Sequence, residues 1–349
     1  MKIRNIVNYL ESIAPPSYQE SYDNAGLIVG SHDQEVTGVL LCLDSTEAVI
    51  EEAIRKNCNL VIAHHPIVFK GLKRFNGANY VERVVIKAIK NDIAIYAAHT
   101  NLDNVSHGVN AKICERLKLE NTRILAPKQK LKKLYAQVDL KHVATIRKAL
   151  LAIDSDSIGV VEGSVYTSVG ASAANGEALP SVRMEVNYHQ AAERNVLQTL
   201  RKANGNRETV VDIIPIEAIH PRIGSGMIGN LPEAMPPLTF LKFVKKAMKT
   251  SCVKYTPLAG RKVNRVAVCG GAGGFLLKSA IRAGADVFIT SDYKYHEFFD
   301  ADGKIIIADI GHYESEQFTI QLLNEFITKK FSTFAVHLTT VNTNPIKYI

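Results

Sequence analysis

The stretch NLVIAHHPIVF, residues 59–69, indicates the fold more directly than other parts of the chain. Its short apolar, β-branched run predicts a strand buried on both faces, as in parallel sheets covered by helices. The run ends in the adjacent pair His64 and His65, which a buried strand does not need. Because ligands bind at the carboxyl ends of strands in open α/β sheets, this strand end is a candidate site.

Segments of the same kind surround this strand and return near the end of the chain. Such β-α-β alternation predicts an α/β fold, with a mixed sheet covered by helices. We expect the later strands to join the sheet of the earlier ones. Besides residues 59–66, the predicted strands are 38–44, 92–103, 265–274, 285–292, 304–312 and 337–343, and the predicted helices of the first half are 45–57 and 79–91.

The pattern changes in the middle of the chain to β-α-β-β-α-β, which is the order of a ferredoxin-like domain. A lysine-rich approach at 128–133 and the prolines of LPEAMPP (231–237) flank this region. We therefore predict a split α/β domain with halves at 1–125 and 237–349, and an inserted ferredoxin-like domain at 126–236.

Composition restricts the class of protein. A chain of 349 residues is long enough for two or more domains. Its five cysteines are scattered and never spaced as C-x-x-C, which argues against a disulfide framework and favours a reducing compartment. No apolar run approaches the roughly 18–20 residues of a membrane span. We predict a cytoplasmic protein without a membrane partner.

The N-terminal segment MKIRNIVNYLESIAPP is too charged for a signal peptide. Its apolar residues recur with helical spacing, which predicts an amphipathic helix with Ile3, Ile6, Val7 and Leu10 on one face.

The charge of the chain leaves nucleic acid open as a partner. The formal net charge is +8, and lysine and arginine concentrate in residues 241–265 and 128–133. The alternative interpretation is that these stretches are solvated faces and loop edges. No RRM, zinc-finger or helix-turn-helix signature accompanies them.

Four predicted strands end in polar residues that are costly to bury, namely Asp44, His64 with His65, Asp103 and His312. Glu316 follows His312 by four residues, so the two share a face if a helix begins there. Imidazole together with carboxylate suits zinc, manganese, iron or cobalt. Since His64 and His65 project in different directions, two neighbouring divalent ions explain the pair better than one ion does. A carboxylate such as Glu316 or Asp103 would bridge the two ions.

Each of these residues also has a structural interpretation. A histidine at a strand end is usually a satisfied structural side chain. Asp103 before Asn104 suits a turn, and His312 suits a helix cap. The convergence of several strand-end sites favours the metal interpretation.

Two further histidines are candidate catalytic residues. His99 in HTNLD would act beside the metals or on a substrate, and His296 in TSDYKYH (290–296) lies at another predicted strand end. Asp292 accompanies His296, with N-capping as its alternative role.

The glycines of CGGAGGF (269–275) precede a predicted helix. They lack the G-K-[ST] ending of a phosphate-binding loop and do not match G-x-G-x-x-G in register. We predict a tight strand-to-helix turn, with a backbone contact to a phosphate-bearing substrate as the alternative.

Several longer motifs occur in the order found in a known family. They are YDNAGLIVG (22–30), AHHPIVF (63–69), HTNLD (99–103), CGGAGG (269–274), TSDYKYH (290–296) and GHYESE (311–316). By these motifs the chain resembles the NIF-three-like proteins, also known as GTP cyclohydrolase 1 type 2 homologues. It departs from them at Tyr22 and Ser291, where the family usually has Trp and often has Gly.

The resemblance implies a toroidal homohexamer, a middle segment like the PII- or CutA-like insert of the longer bacterial members, and a dinuclear site. That site would be carried by His64, His65, Asp103, His312 and Glu316. The cyclohydrolase name implies hydrolysis of the imidazole ring of GTP, so we predict a metal-dependent hydrolase acting on a nucleotide-like or phosphate-containing small molecule. The alternative is a ring-shaped binding or regulatory protein with structural or sensory metals, whose partner is nucleic acid or another protein.

Overall fold

Strands and helices alternate along the chain in this computed structural model, which describes residues 1–128, 130–153, 165–174, 177–206, 209–219, 222–258 and 260–349. The strands are β1 (Gly26–Val29), β2 (Gly38–Cys42), β3 (Leu60–Ala63), β4 (Ala94–Ala97), β5 (Glu120–Pro127), β6 (Lys130–Val138), β7 (Val165–Ala174), β8 (Glu177–His189), β9 (Val211–Ile219), β10 (Gly224–Met235), β11 (Lys254–Tyr255), β12 (Val263–Ala272), β13 (Val287–Ser291), β14 (Ile306–Asp309) and β15 (Ala335–Leu338). The helices are α1 (Ile3–Ile13), α2 (Glu47–Arg55), α3 (Tyr80–Lys90), α4 (Thr100–Asp103), α5 (Val109–Arg116), α6 (Val143–Leu151), α7 (Glu193–Ala203), α8 (Pro237–Ala247), α9 (Leu277–Arg282), α10 (His312–Glu316) and α11 (Thr319–Lys330). The larger of two units comprises Met1–Ala126 with Gly224–Ile349, and the smaller comprises Pro127–Ile223.

The first sheet of the larger unit has the strand order β1-β4-β3-β2-β15. Its strands β15, β2, β3 and β4 pair in parallel, and β1 pairs with β4 antiparallel. On one face, Leu40, Val61 and Ile95 pack with apolar residues of α2 and α3. Because side chains alternate along a strand, Leu41 and Ile62 face the other way, and they are equally buried. Both faces of this mixed sheet are therefore covered, as its apolar strands predicted.

Most of the later strands form a second sheet, in the order β11-β14-β13-β12-β10-β5. Here β12, β13 and β14 pair in parallel, while β10 is antiparallel to β12 and β11 is antiparallel to β14. Phe240 of α8 and Ile113 of α5 pack against these strands. The expectation that the later strands join the first sheet is therefore wrong for β12, β13 and β14, and holds for β15. Successive strands joined by short helical segments pair with one another, whereas an apolar run does not identify its neighbour.

The smaller unit has a core of its own. Its strands have the order β7-β8-β6-β9 with antiparallel pairing, and α6 and α7 follow β6 and β8 along the chain. Met184 and Val186 of β8 pack with Ile146 of α6 and Val196 of α7.

The end of the smaller unit differs from the predicted insert of 126–236. Strand β10 pairs with β12, with Met227 opposite Val268, so residues 224–236 belong to the larger unit. The prolines of LPEAMPP lie at the end of β10 and the start of α8, one strand later than the end of the smaller unit.

Two element ends near the histidines also differ from the prediction. Strand β4 stops at Ala97, so Asp103 lies on the short helix α4 and not in the strand predicted for 92–103. Strand β14 stops at Asp309, and α10 begins at His312. The helix expected to carry His312 and its partner four residues later is confirmed.

The N-terminal amphipathic helix is confirmed as well, since α1 buries Ile3, Ile6, Val7 and Leu10. Among the residues that the structure describes, the helices all lack the combination of length and apolar character that crossing a bilayer requires.

A buried carboxylate ties the end of the first sheet to α2. Glu52 is 1% exposed and accepts hydrogen bonds from the backbone N–H and the hydroxyl of Thr340 at 3.0 and 2.9 Å. It also accepts from the Thr339 hydroxyl and pairs with Lys56 Nζ at 2.8 Å. Although burial raises the pKa of Glu52, these hydrogen bonds lower it to about 2.

We expect Glu52→Gln to lower the free energy of unfolding by about 1.5–3 kcal/mol, the usual contribution of hydrogen bonds to a charged group. Because the folded pKa lies below the unfolded value, the stabilisation is present above about pH 4.5 and is lost as the pH falls toward 2. Urea denaturation at pH 7 and pH 3 measures both effects. Glu51→Gln, at the exposed neighbouring position, is the control and should change stability by less than about 0.5 kcal/mol. Equal effects of the two variants would contradict the assignment.

Candidate metal centre

The predicted ligands converge where carboxyl ends of strands from both sheets meet. His64 and His65 directly follow β3, and Asp103 lies on α4, shortly after β4. His312 and Glu316 lie at the two ends of α10, which follows β14 of the second sheet. The structure therefore brings these five residues together near strand ends, although two sheets supply them.

A glycine makes the turn into α10 possible. Gly311 precedes the helix with φ of 91°, a conformation that L side chains rarely adopt. A Cβ atom at this position would lie 2.3 Å from Glu314 Oε2. Another residue at 311 would therefore displace the start of the helix that carries His312 and Glu316.

The carboxylate of Glu316 is the centre of the cluster. It is 3% exposed, and its Oε2 lies 3.0 Å from His65 Nε2 and 3.2 Å from His312 Nε2. Its Oε1 lies 3.7 Å from His64 Nε2. Donor atoms of His64, His65 and Glu316 all lie within 4.8 Å of one another, which makes these three a group that could hold a metal ion.

Asp103 completes the cluster on the side of His64. Its Oδ1 lies 3.7 Å from His64 Nε2, and both atoms are buried without a hydrogen-bond partner among the described residues. Unpaired buried polar atoms are rare because they lose their hydration without compensation. Tetrahedral coordination at about 2.0–2.1 Å places ligand atoms about 3.3 Å apart, so these atoms fit a shared metal ion.

The three histidines of the cluster are each fixed through Nδ1, so that Nε2 faces the carboxylates. The Nδ1 partners are Ala98 O for His64 at 2.7 Å, Asp44 Oδ1 for His65 at 2.7 Å, and Asp292 Oδ2 for His312 at 2.6 Å. Metal-binding histidines characteristically use the second ring nitrogen in this way, since it fixes the tautomer and the ring orientation.

Burial and charge set the protonation of the acidic members. Burial raises the pKa of Asp103 well above its usual range, and the negative charge of Glu316 adds to the effect. Burial acts on Glu316 in the same direction, but the hydrogen bond with His312, the nearby His64 imidazole and the hydrogen bond with His65 hold its pKa well below the usual range. Glu316 is therefore the permanent negative charge of the cluster.

The imidazoles of His65 and His312 respond to that charge, whereas burial lowers the pKa of His64. Although burial lowers the pKa of His65, hydrogen bonds with Asp44 and Glu316 raise it to about 9. Burial likewise lowers the pKa of His312, but hydrogen bonds with Asp292 and Glu316 raise it to about 11. Without a metal ion, cationic imidazoles thus balance Glu316, and a divalent cation would take over that role.

His99 stands beside the ligands and is held by an aspartate that sequence analysis did not single out. Its Nδ1 lies 2.7 Å from Asp23 Oδ1, and its ring centroid lies 5.4 Å from those of His64 and His65. The Asp23 side chain is fully buried and accepts from the Thr100 backbone N–H at 3.0 Å. Although burial raises the pKa of Asp23, hydrogen bonds from His99 and Thr100 lower it to about 2. Its place in the motif YDNAGLIVG was the available signal.

His296 lies apart from this group. It is exposed on the 3-10 turn Tyr295–Ala301, with its ring 5.2 Å from that of Tyr295. Its catalytic role stays a prediction.

A cavity of about 210 Å³ opens onto the cluster. Its lining combines polar side chains of the cluster, here called the floor, with aromatic side chains, here called the rim. The floor includes His99, Asp103, His312 and Glu316, and the rim includes Tyr22, Phe69 and Phe275. Tyr22 and Phe275 are about two-thirds exposed, at 65% and 66%.

The glycine loop after β12 serves as a turn. Its backbone N–H groups donate to side chains: Gly270 to Asn110 Oδ1, Gly271 to Ser315 Oγ and Gly273 to Thr290 Oγ1, each at 2.9 Å. Donors that are already paired do not form an anion cradle, which favours the predicted turn. Gly271, with φ of 63°, also gives Glu316 its space, because a Cβ atom there would lie 2.5 Å from Oε1.

Comparison with known proteins agrees with these motifs. Residues 1–345 match the family model described as Duf34/NIF3 (NGG1p interacting factor 3). The chain belongs to this family. The resemblance to the NIF-three-like proteins is therefore confirmed.

Similar members of the Duf34/NIF3 family cover the whole chain. A Bacillus subtilis protein named GTP cyclohydrolase 1 type 2 homolog is 31% identical over 371 residues, which cover 99% of this chain and 98% of that protein. A Halalkalibacterium halodurans protein of the same name is 32% identical, with complete coverage of both. The crystal structure of a Bacillus cereus protein related to NIF3 has a TM-score of 0.83 and 31% identity, covering 100% of this chain and 99% of that one.

We expect divalent ions to stabilise this family member through Glu316. Zinc or cobalt added to chelator-treated protein at about 100 times its Kd should contribute about 2.7 kcal/mol, which raises the melting temperature by several degrees. The variants Glu316→Gln and His65→Ala should lose most of this shift, as measured by differential scanning fluorimetry. The exposed histidine variant His32→Ala is the control and should keep it. A full shift in Glu316→Gln would show that the ions bind elsewhere.

Proposed function

We propose that the chain is a metal-dependent hydrolase with two divalent ions, acting on a nucleotide-like or other phosphate-containing small molecule. The observation that carries the proposal is the division of the ligands around the two oxygens of Glu316. Oε1 faces His64, which also faces Asp103, whereas Oε2 faces His65 and His312. Each oxygen thus belongs to a different set of donors, as a carboxylate that bridges two ions requires.

The donor sets indicate the kind of metal. Both combine imidazole nitrogen with carboxylate oxygen, which suits zinc, iron, manganese or cobalt. The described cysteines lie outside both sets, and Cys42, Cys58 and Cys114 are buried. A divalent ion in such a site supplies Lewis acidity, which lowers the pKa of water toward about 7 and polarises the group under attack.

His99 is the best-placed residue for proton transfer. Its Nδ1 is engaged by Asp23, so Nε2 is the nitrogen free to take or give a proton at the cavity, whose lining includes the His99 side chain. Asp23 stabilises the imidazolium that forms when Nε2 takes a proton, as a buried carboxylate beside a histidine does. We therefore assign general acid–base catalysis to His99 and positioning to Asp23.

The cavity supports a substrate with a small reacting group and a planar part outside it. Its volume of about 210 Å³ is below the 300–1,000 Å³ typical of pockets that enclose a whole ligand. Phe69 is 47% exposed and lies 5.5 Å from the His99 ring, which offers a face on which an aromatic ring stacks. Relatives named GTP cyclohydrolase 1 type 2 homolog make GTP the first substrate to test.

The smaller unit and the assembly complete the proposal. The strand order β7-β8-β6-β9 and the antiparallel pairing suit a ferredoxin-like domain inserted into a split α/β domain.

The family resemblance supports a toroidal homohexamer. Light scattering of the purified chain should then give six times the chain mass of 38.4 kDa.

We expect metal-loaded protein to turn over at least one compound in a panel of GTP and other nucleotides. Glu316→Gln should abolish turnover together with metal content, and His32→Ala should retain both. Turnover that persists in Glu316→Gln after its metal content is shown to be zero would overturn the proposal.

We expect His99→Gln to lower kcat about 100- to 10,000-fold, the usual contribution of a general acid or base, because an amide neither takes up nor releases a proton near neutral pH. Its metal content should match that of the wild type, which separates proton transfer from metal binding. His296→Ala tests the second candidate in the same assay. A larger loss of kcat in His296→Ala than in His99→Gln would transfer the catalytic assignment to His296.

A further inference from the structure

The segment 339–349, which follows β15, contacts the elements that carry metal ligands from both sheets. The Thr343 hydroxyl donates to Asp44 Oδ2 at 2.6 Å. The next side chain, Asn344, donates through Nδ2 to Glu314 Oε1 at 3.0 Å. Asp44 follows β2 in the first sheet, whereas Glu314 lies within α10, so two consecutive residues bridge both sides of the candidate metal centre.

Thr343 is connected to the proposed ligand His65 through one intervening carboxylate, that of Asp44. Asp44 divides its oxygens between two partners, with Oδ1 at 2.7 Å from His65 Nδ1 and Oδ2 held by Thr343. The second contact fixes the plane of the carboxylate, and that plane sets the direction of the hydrogen bond to His65. Nε2 of the same ring points at Glu316 from a distance of 3.0 Å.

Asn344 acts on the other side of the centre. Glu314 is buried at 7% exposure and lies in the middle of α10, between His312 and Glu316. Its Oε1 accepts from Asn344, while Oε2 lies against the Gly311 turn. The segment therefore holds the first turn of the helix that bears both ligands.

Core packing does not account for these contacts. After Val341 the segment is largely exposed, with Ile346 at 51% and Tyr348 at 44%, so it buries little apolar surface. Apart from a backbone hydrogen bond from Thr339 N–H to Leu41 O, its described hydrogen bonds to the rest of the chain go to three carboxylates, namely Glu52, Asp44 and Glu314. Outer partners of this kind typically change metal affinity 10- to 100-fold when they are removed.

We propose that Thr343 and Asn344 are positioning residues of the metal centre, and that segment 339–349 is a clasp that sets its geometry. The inference rests on the metal-binding part of the proposed function. Thr343 acts through Asp44 on His65, and Asn344 acts through Glu314 on α10.

The test uses the full chain, with cobalt(II) as the metal. Thr343→Val removes the hydroxyl at nearly constant volume and should lower cobalt affinity about 10- to 100-fold, with altered visible absorption bands of the bound ion. Thr343→Ser keeps the hydroxyl donor and should restore the cobalt affinity and the absorption bands of the wild type. Thr328→Val is the matched control, because the hydrogen bond of the Thr328 hydroxyl within the described part of the chain goes to the backbone of its own helix, at Asn324 O. The metal-free melting temperature should be the same in the wild type, Thr343→Ser and Thr328→Val, and should fall in Thr343→Val by no more than the loss of one hydrogen bond to a carboxylate.

A second readout needs no metal. In metal-free protein with ¹⁵N-labelled histidine, the His65 Nδ1 resonance should shift in Thr343→Val and return in Thr343→Ser. Unchanged cobalt affinity and an unchanged resonance in Thr343→Val would overturn the clasp, while cobalt binding by the wild type would leave the proposed function intact. If the wild type binds no cobalt, the proposed function fails, and the resonance alone then supports or overturns the positioning role. A lower metal-free melting temperature in Thr343→Val that Thr343→Ser does not restore would also overturn it.

Discussion

The buried carboxylate of Glu316 is the constraint on which the candidate site depends. An ionised carboxylate at 3% exposure is expensive unless cations or hydrogen-bond donors surround it. Here the three surrounding groups are imidazoles, and they are held by carboxylates or a carbonyl on their far side. The cationic imidazoles of His65 and His312 lie between Glu316 and the outer carboxylates of Asp44 and Asp292, whereas burial lowers the pKa of His64, whose outer partner is the Ala98 carbonyl.

The backbone around Glu316 is shaped by the same requirement. Gly271 leaves the space that Oε1 occupies, and Gly311 allows α10 to begin where His312 and Glu316 face the first sheet. The second sheet therefore contributes a helix end and a glycine turn, whereas the first contributes the strand end with His64 and His65. Neither sheet alone contains enough ligands for a closed metal site.

Much of the site could be predicted because strand ends, unlike strand partners, are visible in a sequence. His64 and His65 follow a recognisable apolar run, and His312 and Glu316 have helical spacing. Pairing in space is not visible in this way, which explains why the second sheet and the end of the smaller unit at residue 223 were not predicted. Asp23 and Thr343 were missed for the same reason: each acts on a side chain far away in the chain.

His65 and Glu316, which are in contact, are separated by 251 positions in the sequence, and the residues of the smaller unit fall within this interval of sequence. A ribosome that adds roughly 5–20 residues per second would take about 13–50 s to synthesise that distance. During this interval the nascent first half contains His64 and His65 without the carboxylate that contacts them in the complete chain. Completion of the candidate metal centre therefore waits for α10, and a chain that ends before α10 does not have the carboxylate of Glu316 at this site.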